Sequence, residues 1–513
     1  MADSAEVHAL DTRQEITIIP GGGYQAVMAV LQNLEQCPVS EIYSQGPDLV
    51  KLVRRNGRIE AEAYTKHVLA HVLTKIFRFR KVTNTKDGRE IKVSIDCPRD
   101  LAQTILELGE WYGFPPLNAI INNATLRADG TVITETGYDD ISGFYINSLG
   151  SRNAVNLKAS RSNAEASLDL LETLFSEFPY VTPADYSAMM AMIIGAVVRP
   201  ALRTSPAYGV SAPTPGTGKS IFCQSVLLLA MGQIPPVMPL SIDGKEAEKT
   251  FSAALQTRVP AIFGDDVKTV IRWPFLAPVL TADWAQLRVL GSSKLVSVPT
   301  NATIIFNGNN LSVAGDLTRR FLMINFDAGM ERPEQRSFKI NIKEYIELNR
   351  DELIAEILTI VASYIAAGAP SVEVLPSGYP EWDKFVRYPL IWLGRPDPLN
   401  ANKDIRESDT ETRSIAALCD VLLRISKDKN CHEFTAAGVI GYLNDIALSA
   451  QEKGDLHESL VMACGDKYDS TRLGNWFGRN VGRPVDGMRI LKSRKDHHAK
   501  HFYWTIELAK ADE

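Results

Sequence analysis

The segment from Gly216 to Ser220, "GTGKS", has the residue types and order of a phosphate-binding loop. Glycines let backbone N–H groups converge on an anion, a lysine reaches the outer phosphates, and a serine hydroxyl binds Mg²⁺. The full pattern, G-x-x-x-x-G-K-[ST], requires a glycine where this chain has Pro213, and a second proline follows at Pro215. Neither proline removes a donor from the later N–H groups, so the departure weakens the sequence match more than the chemistry.

The segments on both sides of the loop predict the elements needed to position it. Tyr208 to Ser211 predicts a short strand, and "IFCQSVLLLAMG" after Ser220 predicts a buried helix. A helix that begins at the lysine directs its N-terminal N–H groups at the same anion. The sequence therefore predicts strand, glycine loop and helix in the order that phosphate binding requires.

An acidic pair follows the loop by 46 residues. The segment "VPAIFGDDV" at 259–267 predicts an apolar strand that ends in Asp265 and Asp266. Asp265 would hold Mg²⁺ directly or through water, and Asp266 would polarise an attacking water. Taken alone, the two aspartates are explained about equally well by an ordinary exit from a strand.

Two further motifs lie downstream. "TNATIIFNGNNL" at 300–311 predicts a strand that ends in amides, where Asn309 would orient the water or touch a phosphate. Asn307 and Asn310 are the alternatives, and an Asn-Gly pair alone indicates a turn. In "GDLTRRFLMINFD" one arginine of the pair Arg319 and Arg320 is expected to pair with Asp316, and the other to approach a phosphate.

The order of these motifs resembles the AAA+ ATPase core of superfamily III helicases. It is more closely similar to the primase-helicase-like AAA+ ATPases of phages, plasmids and integrative elements. The residues that carry the resemblance are "SAPTPGTGKS", "FGDDV", "NGNNL" and "GDLTRRF", with weaker similarity over roughly 95–510. The resemblance implies a ring, expected to be a hexamer, with ATP and Mg²⁺ bound between subunits.

The resemblance also implies a role for each motif residue. Catalytic roles fall to Lys219, Asp266, Asn309 and Arg320, the last acting from the neighbouring subunit, with Arg319 as the alternative. Ser220 and Asp265 would bind the metal. The nucleotide would be held by Pro215, Gly216, Thr217, Gly218, Lys219 and Ser220.

A β-hairpin before the asparagine strand is also part of the resemblance. Here "LRVLGSSKLVSVP" at 287–299 has the required form, with two β-like arms around Gly291 to Lys294. Lys294 would grip the backbone of single-stranded DNA, with Arg288 as a helper. The alternative is a surface hairpin with a solvated lysine.

Composition restricts the remaining possibilities. The chain has 513 residues, a net charge of −6, and six cysteines without a C-x-x-C pair, which fits a reducing cytoplasm. The resemblance implies that this is the cytoplasm of a bacterial host cell. The longest apolar run, Ala188 to Val198, is too short to span a membrane. Residues 1–95 lack zinc cysteines and an acidic polymerase signature, so a separate primase is a further candidate partner.

Length and motif placement predict an α/β P-loop NTPase core between an α+β N-terminal region and a winged-helix-like C-terminal domain. The expected divisions are 1–110, 111–200 for a β-hairpin element and helical collar, 201–370 for the ATPase core, 371–410 for a linker, and 411–513. In the last of these, Lys467 to Lys500 holds nine basic residues against three acidic ones. Arg472 and Arg479 would bind DNA beside Trp476 and Phe477, unless those aromatics are core and the charges a solvated face.

Two functions are consistent with this pattern. The first is an ATP-driven DNA helicase or translocase of a mobile element, moving on single-stranded or forked DNA. The alternative is an AAA+ switch or loader that assembles on DNA or protein without unwinding, in regulation or defence. DNA-stimulated hydrolysis with strand displacement distinguishes the first from ATP-dependent assembly without unwinding. A metabolic kinase is disfavoured, because it needs an acceptor pocket rather than an arginine pair.

Overall fold

The computed structural model describes most of the chain. The described residues are 13–36, 42–55, 58–109, 113–147, 159–239, 243–268, 270–288, 295–402, 410–428, 432–495 and 502–508. Together they show a mixed α/β protein with a parallel central sheet. No helix in these ranges is both long enough and apolar enough to cross a membrane.

The N-terminal region is built from two three-stranded sheets with helices packed against one of them. Its elements are β1 Gln14–Ile18, α1 Gly23–Gln36, β2 Tyr43–Gln45, β3 Asp48–Arg55, β4 Arg58–Ala63, α2 Lys66–Ile76, β5 Phe77–Asn84, β6 Glu90–Ile95 and α3 Arg99–Glu107. The sheets have the orders β1-β5-β6 and β2-β3-β4. The strand β6 is exposed along nearly its whole length. Its alternating sequence predicts a half-buried strand, which is wrong because β6 is an edge strand with little packed over it.

Short strands then lead into two long helices. They are β7 Ala119–Ile121, β8 Thr125–Leu126, β9 Val132–Ile133, β10 Gly137–Asp139, β11 Phe144–Ile146, α4 Arg161–Phe175 and α5 Pro183–Val198. The Asp129-Gly130 turn joins β8 and β9 as an antiparallel pair. At the start of α5, Thr182 and Asp185 form a reciprocal capping box, and Pro183 occupies the first helical position. The helix is buried along nearly its whole length.

The central sheet carries the motifs. Its region comprises β12 Ala207–Ala212, α6 Lys219–Met231, α7 Gly244–Gln256, β13 Ala261–Gly264, α8 Leu276–Thr281, β14 Trp284–Arg288, β15 Leu295–Pro299, β16 Thr303–Asn309, β17 Phe321–Asn325 and α9 Ile342–Ala366. Four strands pair in parallel in the order β13-β16-β12-β17. The asparagine strand β16 therefore lies between the acid strand β13 and the loop strand β12.

The apolar core of this region includes segments on both sides of it in sequence. The helices α4 and α5 pack with α6 and α9 on one face of the sheet. The same core includes Tyr379, Trp382 and Phe385. These belong to a helical stretch made of α10 Pro380–Trp382, a π-helical turn at Asp383–Arg387, and α11 Tyr388–Trp392. Residues that precede and follow the predicted ATPase core in sequence are thus part of the same apolar core.

The C-terminal region has a separate apolar core. Its elements are α12 Thr410–Asp428, α13 Ala436–Gly441, α14 Ala450–Cys464, α15 Ser470–Asn480, β18 Pro484–Val485, β19 Met488–Lys495 and β20 Phe502–Leu508. The strands form an antiparallel sheet in the order β18-β19-β20. Trp476 and Phe477 are buried in this core, where the Phe477 ring contacts the rings of Trp476, Phe434 and Trp504. Both aromatics are therefore core residues, and DNA contact by Arg472 and Arg479 stays a prediction.

Candidate functional site

The motif residues meet at the carboxyl edge of the central sheet. In the register of the sheet, Ala212 lies opposite Asn309, and Gly264 lies opposite Phe306. The segments that leave β12, β13 and β16 therefore leave from the same edge. This is the edge at which open parallel sheets bind ligands.

The glycine loop has the backbone that its sequence predicts. Gly216 and Gly218 have φ angles of +77° and +97°, in the left-handed region that favours glycine. The helix α6 begins at Lys219, directly after the loop. Because the first N–H groups of a helix lack partners inside it, they are turned toward the space that the loop encloses.

Lys219 reaches across this space. Its side chain is mostly buried, and its ammonium donates to Asn309 Oδ1 at 2.8 Å, Thr214 O at 3.1 Å and Thr217 Oγ1 at 3.2 Å. Burial lowers the pKa of Lys219, and the nearby carboxylates of Asp266 and Asp265 oppose that change. All three acceptors are neutral oxygens, so the positive charge is not neutralised within its hydrogen bonds.

Ser220 and Asp265 face each other at the same edge. The Ser220 hydroxyl donates to Asp265 Oδ1 at 2.8 Å. Asn307, which is 1% exposed, donates its Nδ2 to Ser220 Oγ at 3.3 Å and accepts the Asp266 N–H at 2.9 Å. A single buried amide thus ties the serine to the acidic pair.

This oxygen pair fits the donor set that Mg²⁺ uses beside phosphates. Magnesium in such sites is commonly bound by one or two protein oxygens, with phosphate and water completing its octahedron. Among the described residues, no cluster of three or more His, Cys, Asp or Glu side chains could hold a metal unaided. The residues present therefore fit a metal that arrives with a phosphate ligand better than a resident metal cage.

Asp266 has a different environment from Asp265. Its φ of +52° lies in the left-handed region, where a non-glycine residue is uncommon. Two N–H···O bonds, to Asn307 Oδ1 at 2.9 Å and Asp265 Oδ1 at 3.1 Å, hold this backbone. The carboxylate is 59% exposed and pairs with Lys268 at 3.1 Å. It is therefore accessible to water, as its predicted role requires.

The three asparagines of β16 and its exit occupy different places. Asn309 contacts Lys219, whereas Asn310 is exposed at a φ of +50° and its N–H donates to Ala212 O at 2.9 Å. Of the three, Asn307 makes the most hydrogen bonds at the site, although its sequence position favours it only as an alternative. The available signal is an amide inside an apolar strand, since buried polar groups are nearly always hydrogen-bonded.

Gly308 permits the acidic segment to approach β16. A Cβ atom at this position would lie 2.3 Å from Val267 O. The Val267 N–H donates to Asn307 O at 2.8 Å, which holds the two segments together. The glycine of the Asn-Gly pair thus serves a close backbone approach within the site and not merely a turn.

Glu334 is a further residue that the sequence did not indicate. It belongs to a short 3₁₀ helix, Pro333–Gln335, after β17. A Cβ atom built on Gly216 would lie 3.0 Å from both the Glu334 N and Oε2 atoms. This segment is separated from the loop by more than a hundred residues in sequence, so no local pattern could reveal the contact.

The arginine pair lies at the opposite edge of the sheet. Arg320 precedes β17, and its carbonyl accepts the Ala207 N–H at the first residue of β12. Because β12 has six residues, the two edges are roughly 16–20 Å apart at about 3.3 Å per residue. The pair is therefore remote from the phosphate loop of its own chain.

The expectation that one arginine would be free is wrong. Arg319 pairs with Asp316 Oδ1 at 2.5 Å, and Arg320 donates through Nε at 2.8 Å and Nη2 at 2.6 Å to Asp316 Oδ2. The 3₁₀ turn at Gly315–Arg319 brings both side chains to the same carboxylate. Arg319 is 67% exposed and Arg320 only 17%, so Arg319 is the more accessible of the two.

The predicted DNA contacts are placed only in part. β14 and β15 pair in an antiparallel hairpin, and the exposed Arg288 ends its first arm. Lys294 lies outside the described residues. Arg472 and Arg479 are exposed on α15, where Arg472 lies 3.9 Å from Asp469 and also donates to Lys467 O. Of the described candidates, Arg288 thus lies on the hairpin, and Arg472 and Arg479 lie on α15.

Comparisons with known proteins yielded similarities only to solved structures. No family model and no curated protein matches the chain. An apo structure of the NrS-1 C-terminal region is 13% identical, with 93% of this chain and 98% of that chain covered and a TM-score of 0.39. The structure of JCV helicase is 12% identical, covering 49% and 73% respectively, with a TM-score of 0.20. With both scores below 0.5, neither likeness decides the fold or the activity of this chain.

Proposed function

We propose that this chain is a P-loop ATPase of the AAA+ type that works as a DNA helicase or translocase of a mobile genetic element. The supporting observation is the convergence of Lys219, Ser220, Asp265 and Asn309 at one sheet edge. Four residues from three separate motifs contact one another directly or through Asn307. A chance loop that merely resembled the motif would not collect its acid and amide partners.

Each residue has a chemical task that suits its environment. The Lys219 ammonium, with neutral oxygen partners only, would exchange them for phosphate oxygens. Ser220 and Asp265 would hold Mg²⁺, which supplies positive charge beside the phosphates. Asp266, exposed to solvent, would accept a proton from the attacking water. Asn309 would give up its hydrogen bond with Lys219 and would then orient that water or a phosphate oxygen.

The position of the arginine pair supports assembly. Arg319 and Arg320 lie a full strand length away from the phosphate loop of their own chain. In a ring, the pair of one subunit would face the phosphate loop of the next and stabilise charge in the transition state. Binding there would require at least the exposed Arg319 to exchange Asp316 for phosphate.

DNA contact would come from the hairpin of β14 and β15 and from α15. The hairpin joins the acid strand β13 to the asparagine strand β16 in sequence, and packs against α7 and α8. Movement at the nucleotide edge would therefore have a short route to the hairpin. Contacts from Arg288 and Lys294 would position a strand without selecting its sequence.

A fork-unwinding assay tests this proposal. Wild-type protein with ATP and Mg²⁺ is expected to displace a strand and to hydrolyse ATP faster with single-stranded DNA. A non-hydrolysable analogue should support binding but no displacement. ATP-dependent assembly on DNA without displacement would overturn the helicase function and leave a switch or loader. Absence of ATP hydrolysis under all conditions would overturn the ATPase proposal itself.

A further inference from the structure

An apolar cavity lies beside the glycine loop. It has a volume of about 330 Å³ and is lined by Leu174, Phe178, Ile221, Phe338, Ile340 and Ile342, with Glu177 and Asn341 as its polar members. Small-molecule pockets in proteins commonly have volumes of roughly 300–1,000 Å³. The cavity is formed by α4 and its exit, the first turn of α6, and the segment leading into α9.

The cavity adjoins the loop directly. The Phe178 ring lies 3.6 Å from the position of a Cβ atom on Gly218. Ile221 follows Ser220 on the first turn of α6. A molecule with phosphates in the loop would therefore have its remaining part next to this cavity.

Three of its apolar side chains are unusually exposed. Ile221 is 41% exposed, Phe338 40% and Ile340 36%. Exposed apolar side chains are ordinary when scattered, but a contiguous group beside a cavity indicates a surface that a ligand covers. Phe178, by contrast, is only 4% exposed and packs against Phe175, Phe222 and Phe326. The cavity thus has a buried inner wall at Phe178 and a solvent-exposed outer wall at Ile221, Phe338 and Ile340.

The outer wall is also held in position. The Arg336 guanidinium lies 5.2 Å from the centre of the Phe338 ring, and Arg336 donates to the Glu177 carbonyl. The Lys339 N–H donates to both oxygens of the Glu177 carboxylate, at 3.1 Å and 3.2 Å. These contacts keep the phenyl ring and the carboxylate on the same side of the cavity.

We propose that this cavity receives the purine base of the nucleotide whose phosphates bind at Gly216 to Ser220. The inference rests on the proposed function. It adds a binding site for the base, which the phosphate loop does not contact. A planar two-ring base would cover Ile221, Phe338 and Ile340 and stack against aromatic side chains. The Glu177 carboxylate accepts hydrogen bonds only, so it favours a base edge that carries N–H donors over one that carries carbonyls.

Comparison of two ligands in a binding titration tests the inference. ATP carries the base, whereas inorganic tripolyphosphate carries only the phosphates, and both would be titrated with Mg²⁺. Phe338→Ala is expected to weaken ATP binding about tenfold and to leave tripolyphosphate binding within twofold, because only the base loses a stacking partner. Tyr24→Ala is the matched control, since Tyr24 is a 74% exposed aromatic in the N-terminal region.

A second variant tests the polar edge. Glu177→Gln retains an acceptor for the Lys339 N–H but adds an amide donor, so it should reduce the preference for ATP over UTP at least threefold. If Phe338→Ala weakens the binding of ATP and of tripolyphosphate equally, the base cavity is overturned. It is also overturned if Phe338→Ala leaves the ratio of ATP to tripolyphosphate affinity unchanged and Glu177→Gln leaves the ratio of ATP to UTP affinity unchanged. If Lys219→Ala still abolishes binding of both ligands, the ATPase proposal stands without the cavity. If the wild type binds neither ligand, both proposals fall.

Discussion

The two edges of the central sheet carry different parts of the proposed ATPase site. At the carboxyl edge, Lys219 donates to Asn309, Ser220 donates to Asp265, and the Asp266 N–H donates to Asn307. At the amino edge, two arginines share the carboxylate of Asp316. The hydrogen-bond acceptors of the lysine are all neutral oxygens, whereas the charge of the arginines is neutralised in part by Asp316. In the proposed mechanism, the arginines would therefore have to exchange a charged partner for phosphate, whereas the lysine would exchange only neutral partners.

Loss of Lys219 is the largest expected effect at the carboxyl edge. Lys219→Ala should reduce ATP hydrolysis to background, because no other cation of the loop reaches the phosphates. A coupled phosphate-release assay measures this. Lys249→Ala is the control, since Lys249 is an exposed lysine of α7 that pairs with Glu246. Full turnover by Lys219→Ala would refute the assignment of the site.

The amino edge should behave differently. Arg319→Ala and Arg320→Ala should leave ATP binding intact, and the variant that lacks the acting arginine should lose about 10³-fold in hydrolysis. Mixing that variant with Lys219→Ala should restore part of the activity, since the subunits then supply complementary halves. If mixing with Lys219→Ala restores ATP hydrolysis in neither arginine variant, the arginines do not act on the site of a neighbouring subunit.

The acidic pair sharpens the contrast within the carboxyl edge. Asp265→Asn should raise the Mg²⁺ concentration needed for half-maximal hydrolysis, because one of the two oxygens facing the metal loses its charge. Asp266→Asn should lower the rate about 10²-fold at an unchanged Mg²⁺ requirement, since it acts on water. Magnesium titrations of both variants measure the difference. Identical Mg²⁺ curves would contradict the separate roles.

Gly308→Ala is expected to have the smallest effect, and on stability. The added Cβ would meet Val267 O at 2.3 Å, which should lower the free energy of unfolding by about 1–3 kcal/mol. Gly454→Ala is the matched control, because the space around Gly454 in α14 is open within 4 Å. Urea unfolding followed by circular dichroism compares them. Equal stability of the two variants would show that the acidic segment moves away without cost.

The sequence predicted which residues meet at the carboxyl edge, but it did not predict most of the hydrogen bonds between them. Lys219, Ser220 and Asp265 follow from local patterns, because a loop and the ends of neighbouring parallel strands share an edge. Their catalytic roles stay predictions. The central place of Asn307 was less visible, since its side chain bonds to Asp266 and Ser220, which are distant in sequence.

Other features could not be predicted from short segments. Both arginines reach Asp316 because of the turn geometry at Gly315–Arg319, which residue types alone do not specify. The contact between Glu334 and the loop depends on how the chain returns after β17. The domain divisions also remain predictions, because the described core joins α4, α5 and the stretch around Trp382 to the sheet.

Adjacent strands link the two edges mechanically. β12 ends at the glycine loop, and its neighbour β17 begins directly after Arg320, with five residue pairs in parallel register between them. In a ring, β12 and β17 would therefore act as a stiff lever between consecutive sites. A tilt caused by nucleotide at one site would change how firmly Arg319 and Arg320 engage the next. In the proposed ring, the paired strands would thus couple nucleotide occupancy at one site to arginine contact at the next.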